Sequence, residues 1–463
     1  MNTALEAARR SLRGPRAWVV GGALRDRALG RGTDDVDLVV DGDVRLTART
    51  IAGQVRGAAF PLSESFGAWR VIGPDRSWQA DLTPLAGGAI EEDLARRDFT
   101  VNAMAEPLEG GDTIDPYGGA ADLEAGRLRM VSPSSFDDDP LRVLRLARLA
   151  CELGLEPETT TASEARARAP QLANVSSERV FAELKRVLVA PAAISGIRLM
   201  DDLGALRAVL PEVTALKGVE QSSYHHLDVY EHTLAVLEST IELERDPSPL
   251  GSHAEAVRAH LSAPLADDLS RAQALRFAAL LHDAAKPQTR GVLPGGRVTF
   301  IGHDSAGADL ARVVLRRLRA SERLQSHVAG LTRHHLRLGF LVHQQPLPHR
   351  TVYAYLTETA PVEIDVTVLS VADRLATRGR KSDVAIKRHL DLADEMFGEA
   401  LRRQDLLAEG PLVRGDDLAR ELGIDPGPRL GQVIERLQEA RFAGEIATRD
   451  EAVQLARSLV AAG

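Results

Sequence analysis

The chain has 463 residues, and 57 Lys and Arg against 66 Asp and Glu give a formal net charge of −9. At roughly 150 residues per domain this length predicts about three domains, and a composition of 44% hydrophobic and 27% charged residues excludes wholesale disorder. The balance is acidic, without an apolar run near the ~20 residues of a membrane span or a secretory signal, so any RNA site must be a local basic patch.

Residues 16–105 alternate short strand-like runs with helical and Gly-rich pieces. Three apolar runs predict buried strands, at residues 17–20, 36–40 and 69–72. Residues 23–29 predict a short helix that follows the turn Gly21-Gly22. This part of the sequence therefore predicts a small mixed α/β domain.

After about residue 120 the pattern changes, and from residue 141 onward nearly every long segment has helical periodicity. The clearest helical segments are residues 141–153, 178–189, 229–243, 275–281 and 308–318. Loop-rich joints are predicted at 222–226 and 291–296, with a further break at 410–415. We therefore expect a long, mostly helical body.

Two acidic side chains flank Val36 at the start of the second predicted strand. Asp35 and Asp37 lie two residues apart and therefore point to the same face. Paired carboxylates are oxygen ligands that suit Mg²⁺, and two-metal phosphoryl transfer uses such a pair. Asp-x-Asp alone is more typical of a solvated loop. However, Gly21 and Gly22 occupy a strand-to-helix turn, where backbone N–H groups can approach a phosphate.

Arg25 follows in the first turn of that helix. The order Gly-Gly-x-x-Arg-Asp, a short spacer and Asp-x-Asp resembles the signature of the DNA-polymerase-β-like nucleotidyltransferases, in the branch that holds bacterial tRNA CCA-adding enzymes and poly(A) polymerases. The resemblance implies Mg²⁺ held by Asp35 and Asp37, and triphosphate contacts from Gly22 and Arg25. Asp81, on a neighbouring predicted strand, is a candidate third catalytic carboxylate; the alternative is a surface strand residue.

Two further motifs support this branch. Residues 96–103 (RRDFTVNA) resemble the family's second motif, which implies that Arg97 contacts the nucleotide. The same motif implies that Asp98 and Asn102 sort ribose from deoxyribose or hold the site together. Residues 115–119 (DPYGG) resemble the hinge between head and neck.

Residues 139–145 (DPLRVLR) resemble the neck motif in which an aspartate and an arginine read the incoming base. On a helix, Asp139 and Arg142 would be neighbours three residues apart. The carboxylate can accept from the exocyclic amine of cytosine or adenine while the guanidinium donates to a ring nitrogen or carbonyl oxygen. Uracil and guanine present the wrong groups. Arg145 is assigned to the nucleotide, and Arg148, which the helical turn carries away from Asp139, to phosphate or to structure.

The link after the strand that holds Asp81 bears on which nucleotide is added. The resemblance implies that enzymes finishing the whole CCA end carry a flexible loop between the first and second motifs. Here residues 81–94 form a short link without a basic or aromatic loop of that kind. The chain therefore looks like the subfamily that adds only the two cytidines and leaves the A to a separate A-adding enzyme, acting in sequence without a stable complex. Full CCA addition and poly(A) addition stay open.

The helical body carries a second set of candidate metal ligands. His232, the pair His282-Asp283 and Asp373 lie in separate predicted helical segments. Imidazoles and carboxylates that converge suit a divalent metal that activates water against phosphate esters, although each histidine alone is more typical of a structural residue. In this order they resemble the HD phosphohydrolase superfamily, whose domain is also fused to some tRNA nucleotidyltransferases.

His303, and either His334 or His335, are further candidate ligands because some HD sites bind two metals. The set looks intact, which predicts residual phosphodiesterase or phosphatase activity. One competing interpretation is a helical body that only supports tRNA. Another is an HD-type phosphohydrolase with a degenerate head.

Together these features predict an α+β chain, with a small polymerase-β-like nucleotidyltransferase head followed by an elongated all-helical neck, HD body and tail. The predicted domains are the head at 1–125, the base-selecting neck at 126–220, the HD domain at 221–400 and a tRNA-contacting tail at 401–463. The resemblance implies a tRNA 3′-end nucleotidyltransferase that uses CTP, with ATP as a second possible substrate, Mg²⁺ in the head and a second divalent metal in the HD domain. The single cysteine, Cys151, excludes an internal disulfide and fits a reducing, cytoplasmic location without a membrane partner.

Overall fold

The computed structural model describes residues 3–12, 16–63, 67–221, 227–377 and 382–462. The chain divides into two units, and the division falls between Val209 and Leu210. The first unit contains a six-stranded sheet and helices, and the second is helical apart from short two-stranded pieces. This confirms the predicted fold class. The four-domain division stays a prediction, and the predicted joint at 222–226 lies outside the described residues.

The sheet of the first unit has the strand order β3-β4-β5-β2-β1-β6, in which only β2 and β5 are parallel. Its strands are β1 (Arg16–Val20), β2 (Asp35–Asp41), β3 (Ala58–Ser63), β4 (Ala68–Ile72), β5 (Gln79–Pro84) and β6 (Ala105–Pro107). Three of them contain the strands predicted from apolar runs. The helices of this part are α1 (Thr3–Ser11), α2 (Gly22–Ala28), α3 (Val44–Val55), α4 (Ile90–Leu94) and α5 (Gly119–Glu124).

Alternation along β2 separates the two faces of the sheet. Val36, Leu38 and Val40 are buried and pack in one core with residues of α1 and α3. Asp35 and Asp37 face the other way because they occupy the alternate positions. Val39, on that same second face, packs in a separate core with residues of β1, α4 and β6. The second face therefore holds acidic residues at one end of β2 and an apolar core further along.

The register places polar side chains of three strands in one row. Asp37 is the partner of Asp81 in the parallel β2–β5 pair, and Asp81 is the partner of Arg70 in the antiparallel β4–β5 pair. Directly paired residues of neighbouring strands share a face. On the other side of Asp37 the row continues with Val20 of β1, which is buried.

The remainder of the first unit is mostly helical. Its elements are β7 (Arg127–Leu128), α6 (Ser135–Asp138), α7 (Arg142–Leu153), β8 (Glu156–Pro157), α8 (Thr159–Arg168), α9 (Ser177–Val189), α10 (Ala193–Asp202) and α11 (Ala205–Val209). Helix α7 packs against α9 and α10 through buried residues that include Leu144 and Leu146. The predicted helices at 141–153 and 178–189 are confirmed within one residue at either end.

The second unit is built from helices around α13, α15, α18 and α21, which pack against one another. Its helices are α12 (Pro211–Thr214), α13 (Val229–Arg245), α14 (Ala254–Ser262), α15 (Arg271–Leu281), α16 (Lys286–Thr289), α17 (His303–Arg317), α18 (Glu322–His334), α19 (Arg337–Leu341), α20 (His349–Thr359), α21 (Glu363–Ala376), α22 (Ser382–Ala408), α23 (Gly415–Leu422), α24 (Pro428–Phe442) and α25 (Arg449–Ala462). Its short strands are β9 (Pro264–Ala266), β10 (Leu269–Ser270), β11 (Gly291–Val292) and β12 (Val298–Thr299).

Two predicted loop regions have different outcomes. Residues 291–296, predicted as a loop-rich joint, belong to a short antiparallel hairpin of β11 and β12. The break predicted at 410–415 lies between α22 and α23. Within the described ranges, none of the helices is long and apolar enough to span a bilayer.

Candidate active site

A cleft of about 460 Å³ in the first unit brings together most of the predicted nucleotide-site residues. It is lined by Gly21, Gly22, Arg25, Asp37, Arg96, Arg97, Asp98, Asn102, Asp139, Arg142, Arg145, Arg148, Arg179 and Arg186. Eight of these are arginines and three are aspartates, so the lining is strongly cationic in a chain that is acidic overall. Its size falls within the range of small-molecule sites, and its charge fits a polyanionic ligand.

Of the three predicted catalytic carboxylates, Asp37 of β2 lines the cleft. Asp35 lies two residues before it on the same strand, and Asp81 lies on the neighbouring strand β5. Desolvation by the surrounding protein raises the pKa of the Asp37 carboxyl, Arg97 opposes this, and like charges on Asp81 and Asp35 add to the rise. Carboxylates that repel one another on an exposed face fit a hard divalent cation, because the cation would relieve the repulsion. Asp35 and Asp37 therefore meet the chemical requirement for holding Mg²⁺.

Asp81 lies beside Asp37, as the sequence predicted, but its carboxylate already has a cationic partner. Arg70 donates from Nε and from one terminal nitrogen to the two oxygens of Asp81, each at 2.7 Å. This bidentate pair is the strong form of an arginine–carboxylate contact. Asp81 is thus held by Arg70 in addition to neighbouring the other carboxylates.

Glycine is required at the turn after β1. Gly21 has φ of 69°, in the left-handed region that favours glycine. A Cβ atom there would lie 2.9 Å from Nη1 of Arg97 and 3.6 Å from Oδ2 of Asp37. The turn therefore lets its backbone approach both the second motif and the carboxylates. Gly22 and Arg25 line the same cleft, and Arg25 donates to the side chains of Asp26 (2.9 Å) and Asn102 (2.6 Å).

The second motif is fixed to the neck by a buried ion pair. Asp98 accepts from Nε and Nη2 of Arg145 at 2.8 and 2.6 Å and from Nδ2 of Asn102 at 3.0 Å. Burial alone would raise the pKa of Asp98, but Arg145 and Asn102 hold it well below its usual range. Asp98 also raises the pKa of Arg145. Arg97, beside this pair, has a buried Nε without a hydrogen-bond partner among the described residues.

The neck motif differs from the predicted helical arrangement. Asp139 precedes α7 and has an extended backbone, with φ −152° and ψ 101°, because the residue before a proline is restricted to that region. The prediction that Asp139 and Arg142 are helical neighbours is therefore wrong, since Pro140 follows Asp139. The carboxylate of Asp139 accepts from Nη2 of Arg179 at 2.7 Å.

The other predicted arginines of the neck contact protein groups. Arg142 donates to the backbone carbonyl oxygens of Arg96 (2.7 Å), Arg97 (3.3 Å) and Ser135 (3.0 Å). Arg148 is buried and is paired with Glu183 (2.5 Å) and Glu152 (2.8 Å), which favours a structural role for this residue over a phosphate contact.

Arg96, Arg179 and Arg186 were not predicted from the sequence as site residues, although all three line the cleft. A signal for two of them was available. Arg179 and Arg186 are seven residues apart on the predicted helix, which places them on one face. Glu183 lies on this face too, and the three side chains bond to groups at the start of the neck motif and on α7.

A second cluster lies in the second unit. Oxygen and nitrogen atoms of His232, His282 and Asp283 lie within 4.8 Å of one another, and so do those of Asp283, His303 and His335. The two groups share Asp283, at the end of α15. Of the two candidates His334 and His335, it is His335 that belongs to the cluster. Asp373 contacts it through His232, with Nε2 to Oδ1 at 3.0 Å.

Three of the histidine rings of this cluster are oriented in the same way. Nδ1 of His282, His303 and His335 lies 2.8, 2.7 and 2.6 Å from a backbone carbonyl oxygen. If Nδ1 carries the proton, each Nε2 presents a lone pair toward Asp283. This is the arrangement of metal-ligating histidines, whose other ring nitrogen is held by a carbonyl or carboxylate.

The unpaired atoms and the pKa of His335 agree with this interpretation. Burial lowers the pKa of His282, but the neighbouring Asp283 outweighs this and raises it. His282 Nε2, His303 Nε2 and Asp283 Oδ1 are buried without a hydrogen-bond partner in the described part of the chain. Burial and the neighbouring His282 lower the pKa of His335 to about 4, so this imidazole is neutral at physiological pH, as a metal ligand must be. Buried atoms of this kind are costly unless something binds them, so the cluster fits a divalent metal.

The sheet with paired carboxylates and the arginine-lined cleft define a nucleotidyltransferase. Three family models match: "Poly A polymerase head domain" at residues 17–85 and 73–129, "Probable RNA and SrmB-binding site of polymerase A" at 154–217, and "HD domain" at 229–378. A solved Thermotoga maritima CCA-adding enzyme, complexed with tRNA, has the same fold at 20% identity. Its TM-score is 0.61, over 97% of this chain and 91% of that one.

Two relatives that align with this chain over more than nine tenths of their own length are tRNA nucleotidyltransferases. The A-adding tRNA nucleotidyltransferase of Deinococcus radiodurans is 37% identical over 95% of this chain and 94% of its own length. The CC-adding tRNA nucleotidyltransferase of Thermus thermophilus is 34% identical over 94% of this chain and 92% of its own length. The chain belongs to this family of tRNA nucleotidyltransferases and carries an HD domain.

Proposed function

We propose that this protein adds cytidines from CTP to the 3′ end of immature or damaged tRNA without a template, and stops after two. The observation that carries this specificity is the short connection between the first and second motifs. Strand β5 ends at Pro84 and α4 begins at Ile90, so only residues 85–89 join them. A relative at 34% identity is CC-adding, whereas one at 37% is A-adding. A-addition, full CCA addition and poly(A) addition are therefore the competing activities to be tested.

The reaction is an in-line attack of the tRNA 3′-hydroxyl on the α-phosphorus of CTP, in which pyrophosphate leaves. Asp35 and Asp37 would hold Mg²⁺, which would neutralise negative charge on the triphosphate. Gly22, Arg25 and Arg97 contact the nucleotide. The ion pair of Asp98 and Arg145 (2.6 Å) keeps the second motif in place against the neck, so that the nucleotide is held for attack.

The experiment uses three tRNA transcripts, which end at the base before CCA, after the first C and after the second C. Each is incubated with CTP, ATP or both, and the products are resolved to one nucleotide. We expect two cytidines on the first transcript, one on the second and none on the third, with no AMP incorporation. AMP addition to the CC-ended transcript alone would make the protein an A-adding enzyme. Completion of CCA would make it a full CCA-adding enzyme, and a run of A residues would make it a poly(A) polymerase.

A second candidate activity is phosphohydrolysis by the HD cluster. It is supported by the inward-facing Nε2 atoms of His282 and His303 and by Asp283 Oδ1, which are buried without hydrogen-bond partners in the described ranges. A divalent metal held there would supply an activated water. The test combines metal analysis of the purified protein with hydrolysis of bis(p-nitrophenyl) phosphate. An unchanged metal content and an unchanged rate in His282→Ala would leave the domain with a structural role.

A further inference from the structure

The outer half of the sheet in the first unit has one covered face and one open face. Helix α3 packs against β3, β4 and β5, and Val71 of β4 and Leu82 of β5 are buried in one core with residues of this helix. The alternate positions of the same strands face the other way. Phe60 of β3 lies on that second face and is 40% exposed. The face that carries Asp37 therefore continues across β5, β4 and β3 as a partly exposed surface.

Phe60 belongs to the row of paired residues that crosses the catalytic strand. It is the partner of Arg70 in the antiparallel β3–β4 pair. Arg70 in turn is paired with Asp81, and Asp81 with Asp37. At the usual spacing of neighbouring strands, Phe60 lies ~14 Å from Asp37 and Arg70 lies ~10 Å from it. Because the ring of Phe60 is exposed, packing does not account for an aromatic residue at this position.

The in-line geometry of the proposed transfer decides which ligand reaches this surface. The turn Gly21-Gly22 follows β1, on the side of Asp37 away from β5, and Gly22 and Arg25 are the proposed triphosphate contacts. In an in-line displacement, the attacking hydroxyl and the leaving pyrophosphate lie on opposite sides of the α-phosphorus. Since pyrophosphate leaves on the β1 side, the tRNA 3′-hydroxyl must arrive from the β5 side. The end of the tRNA then lies over β5, β4 and β3.

The charge of Arg70 suits an RNA strand on this side. Its Nε and Nη2 atoms donate to the two oxygens of Asp81, which uses two of the five N–H donors of a guanidinium. The side chain keeps 28% of its surface exposed. Asp81 and Asp37 would repel the phosphate that precedes the 3′-terminal nucleoside. A guanidinium between these acids and Phe60 offsets that repulsion, because it can also bind a phosphate.

We propose that Phe60 and Arg70 bind the 3′ end of the tRNA, with the ring of Phe60 stacked on one of its last two bases and Arg70 at the phosphate between them. This inference rests on the proposed nucleotidyl transfer and names the surface that presents its second substrate. Stacking on an aromatic ring tolerates any sequence, because every base has a π face. Such a contact fits an RNA end whose last base changes as cytidines are added.

The first test measures KM for tRNA and for CTP separately, on a transcript that ends after the first C. Loss of a base–aromatic stack weakens binding ~5- to 150-fold. We expect Phe60→Ala to raise KM for tRNA at least fivefold and to leave KM for CTP within twofold, whereas Phe60→Trp should stay close to wild type. A rise in KM for CTP in place of that for tRNA would overturn the proposal.

Leu46 offers a matched control for the loss of an exposed apolar side chain. It is 64% exposed and lies on α3, which packs against the other face of the sheet. Leu46→Ala should leave both KM values within twofold of wild type. Equal effects of Phe60→Ala and Leu46→Ala on KM for tRNA would overturn the proposal.

The second test asks whether the lost contact is with the 3′ end. Dissociation constants are measured for the wild type and Phe60→Ala, with the same transcript and with one whose last two nucleotides are abasic. Phe60→Ala should weaken binding of the first transcript at least fivefold and that of the second less than twofold, because the two changes remove the same stack. Equal weakening on both transcripts would show that Phe60 acts elsewhere.

Arg70 is tested by the salt dependence of tRNA binding. A phosphate contact releases a counterion, and each contact on a single strand contributes ~0.7 to the slope of log Kd against log salt. Arg70→Gln should reduce the slope by about that amount. Arg16→Gln removes the same charge from a surface pair in the same sheet and should keep the slope. Equal slopes in the two variants would refute the phosphate contact.

Two further measurements separate the possible failures. Thermal unfolding of each variant establishes that it is folded. A wild-type protein that transfers no nucleotide would refute the proposed function itself. Transfer by the wild type, with tRNA binding unaffected in Phe60→Ala, would refute only this inference.

Discussion

The cleft of the first unit and the cluster of the second are both polar, but their charges are satisfied in opposite ways. In the cleft, two acids have an arginine partner within 3 Å, in the pairs Asp98–Arg145 and Asp139–Arg179. In the HD cluster, the Nε2 atoms of His282 and His303 face Asp283 and lack hydrogen-bond partners within the described ranges. A surplus of cations on an open wall suits an anionic ligand. Buried lone pairs that converge suit a cation.

The largest effect should follow from replacing one carboxylate of the cleft. Asp37→Asn keeps the shape of the side chain and removes its charge, and we expect nucleotide transfer to fall ~1000-fold. Asp41 on the same strand is a matched control, because it is paired with Arg16 at the surface at 2.6 Å. Asp41→Asn should stay within about twofold of wild type. Single-turnover assays at saturating CTP measure both variants, and tRNA binding should survive in each. Near-normal transfer by Asp37→Asn would show that the carboxylate site is misassigned.

The next effect tests whether the two regions act separately. Asp283→Asn removes the carboxylate shared by both ligand groups. We expect it to abolish bound divalent metal and to lower phosphodiester hydrolysis ~100-fold, with nucleotide transfer unchanged. Asp37→Asn should show the reverse pattern. Parallel transfer and hydrolysis assays on both variants give the result, and a joint loss of both activities in Asp283→Asn would contradict the separation.

A smaller effect concerns stability in the first unit. Arg145→Met leaves the buried Asp98 carboxylate without its guanidinium partner. We expect a loss of about 2 kcal/mol in the free energy of unfolding, below the range for fully buried pairs because Arg145 keeps 32% of its side chain exposed. Arg16→Met breaks an exposed pair and should cost less than about 1 kcal/mol. Urea unfolding followed by amide exchange in α7 measures the loss in the free energy of unfolding for both variants. Equal losses would mean that burial adds nothing to the stability contributed by the Asp98–Arg145 pair.

The smallest effect is the acid sensitivity of the second unit. Burial lowers the pKa of His327 to about 4, Asp365 opposes this, and Arg271, His260 and Arg323 add to the lowering. Because the folded pKa lies below the ordinary value, the unfolded chain takes up the proton first. The stabilisation is complete above about pH 6.5 and is lost as the pH falls toward 4.

Between pH 7 and 5.5 the free energy of unfolding should fall by about 1 kcal/mol because of His327. Amide exchange should accelerate in α18, which carries His327, and not in α7, where Arg145 holds the ionised Asp98. His327→Gln should lose the share of this dependence that His327 contributes, whereas His335 and His389, whose pKa values burial also lowers to about 4, should keep theirs. An equal acceleration in α7 would show that the acid response is not specific to the second unit.

The parts of the site that the sequence predicted depend on short spacings. Asp35 and Asp37 share a face because a strand alternates, and the clustered Gly21, Arg25 and Arg97 come from motifs of a few residues. The contact between Asp139 and Arg179 spans forty positions and depends on how α7 packs against α9. Periodicity within either helix carries no information about that packing. The helical interpretation of Asp139 is wrong because a proline restricts its preceding residue to an extended backbone.

In the second unit, too, local elements could be predicted from the sequence, whereas a contact that depends on packing could not. Strong periodicity predicted helices close to α13, α15 and α17. The order His…His-Asp…Asp indicated a metal site, but the choice between His334 and His335 required the structure. Adjacent residues on a helix point about 100° apart, so the angle at which α18 meets its neighbours decides which of the two faces Asp283.

The alignment that sets Asp37 opposite Asp81 and Val20 has a consequence for errors in folding. A register shift of β2 by one residue would turn Asp35 and Asp37 into the hydrophobic core and expose Val36 and Leu38 to solvent. Mispairing would thus dismantle the packing beneath the sheet along with the catalytic edge. Strand slippage therefore cannot produce a head that is well packed but inactive. Cellular proteases that degrade partly unfolded chains would remove the inactive molecules at the same time.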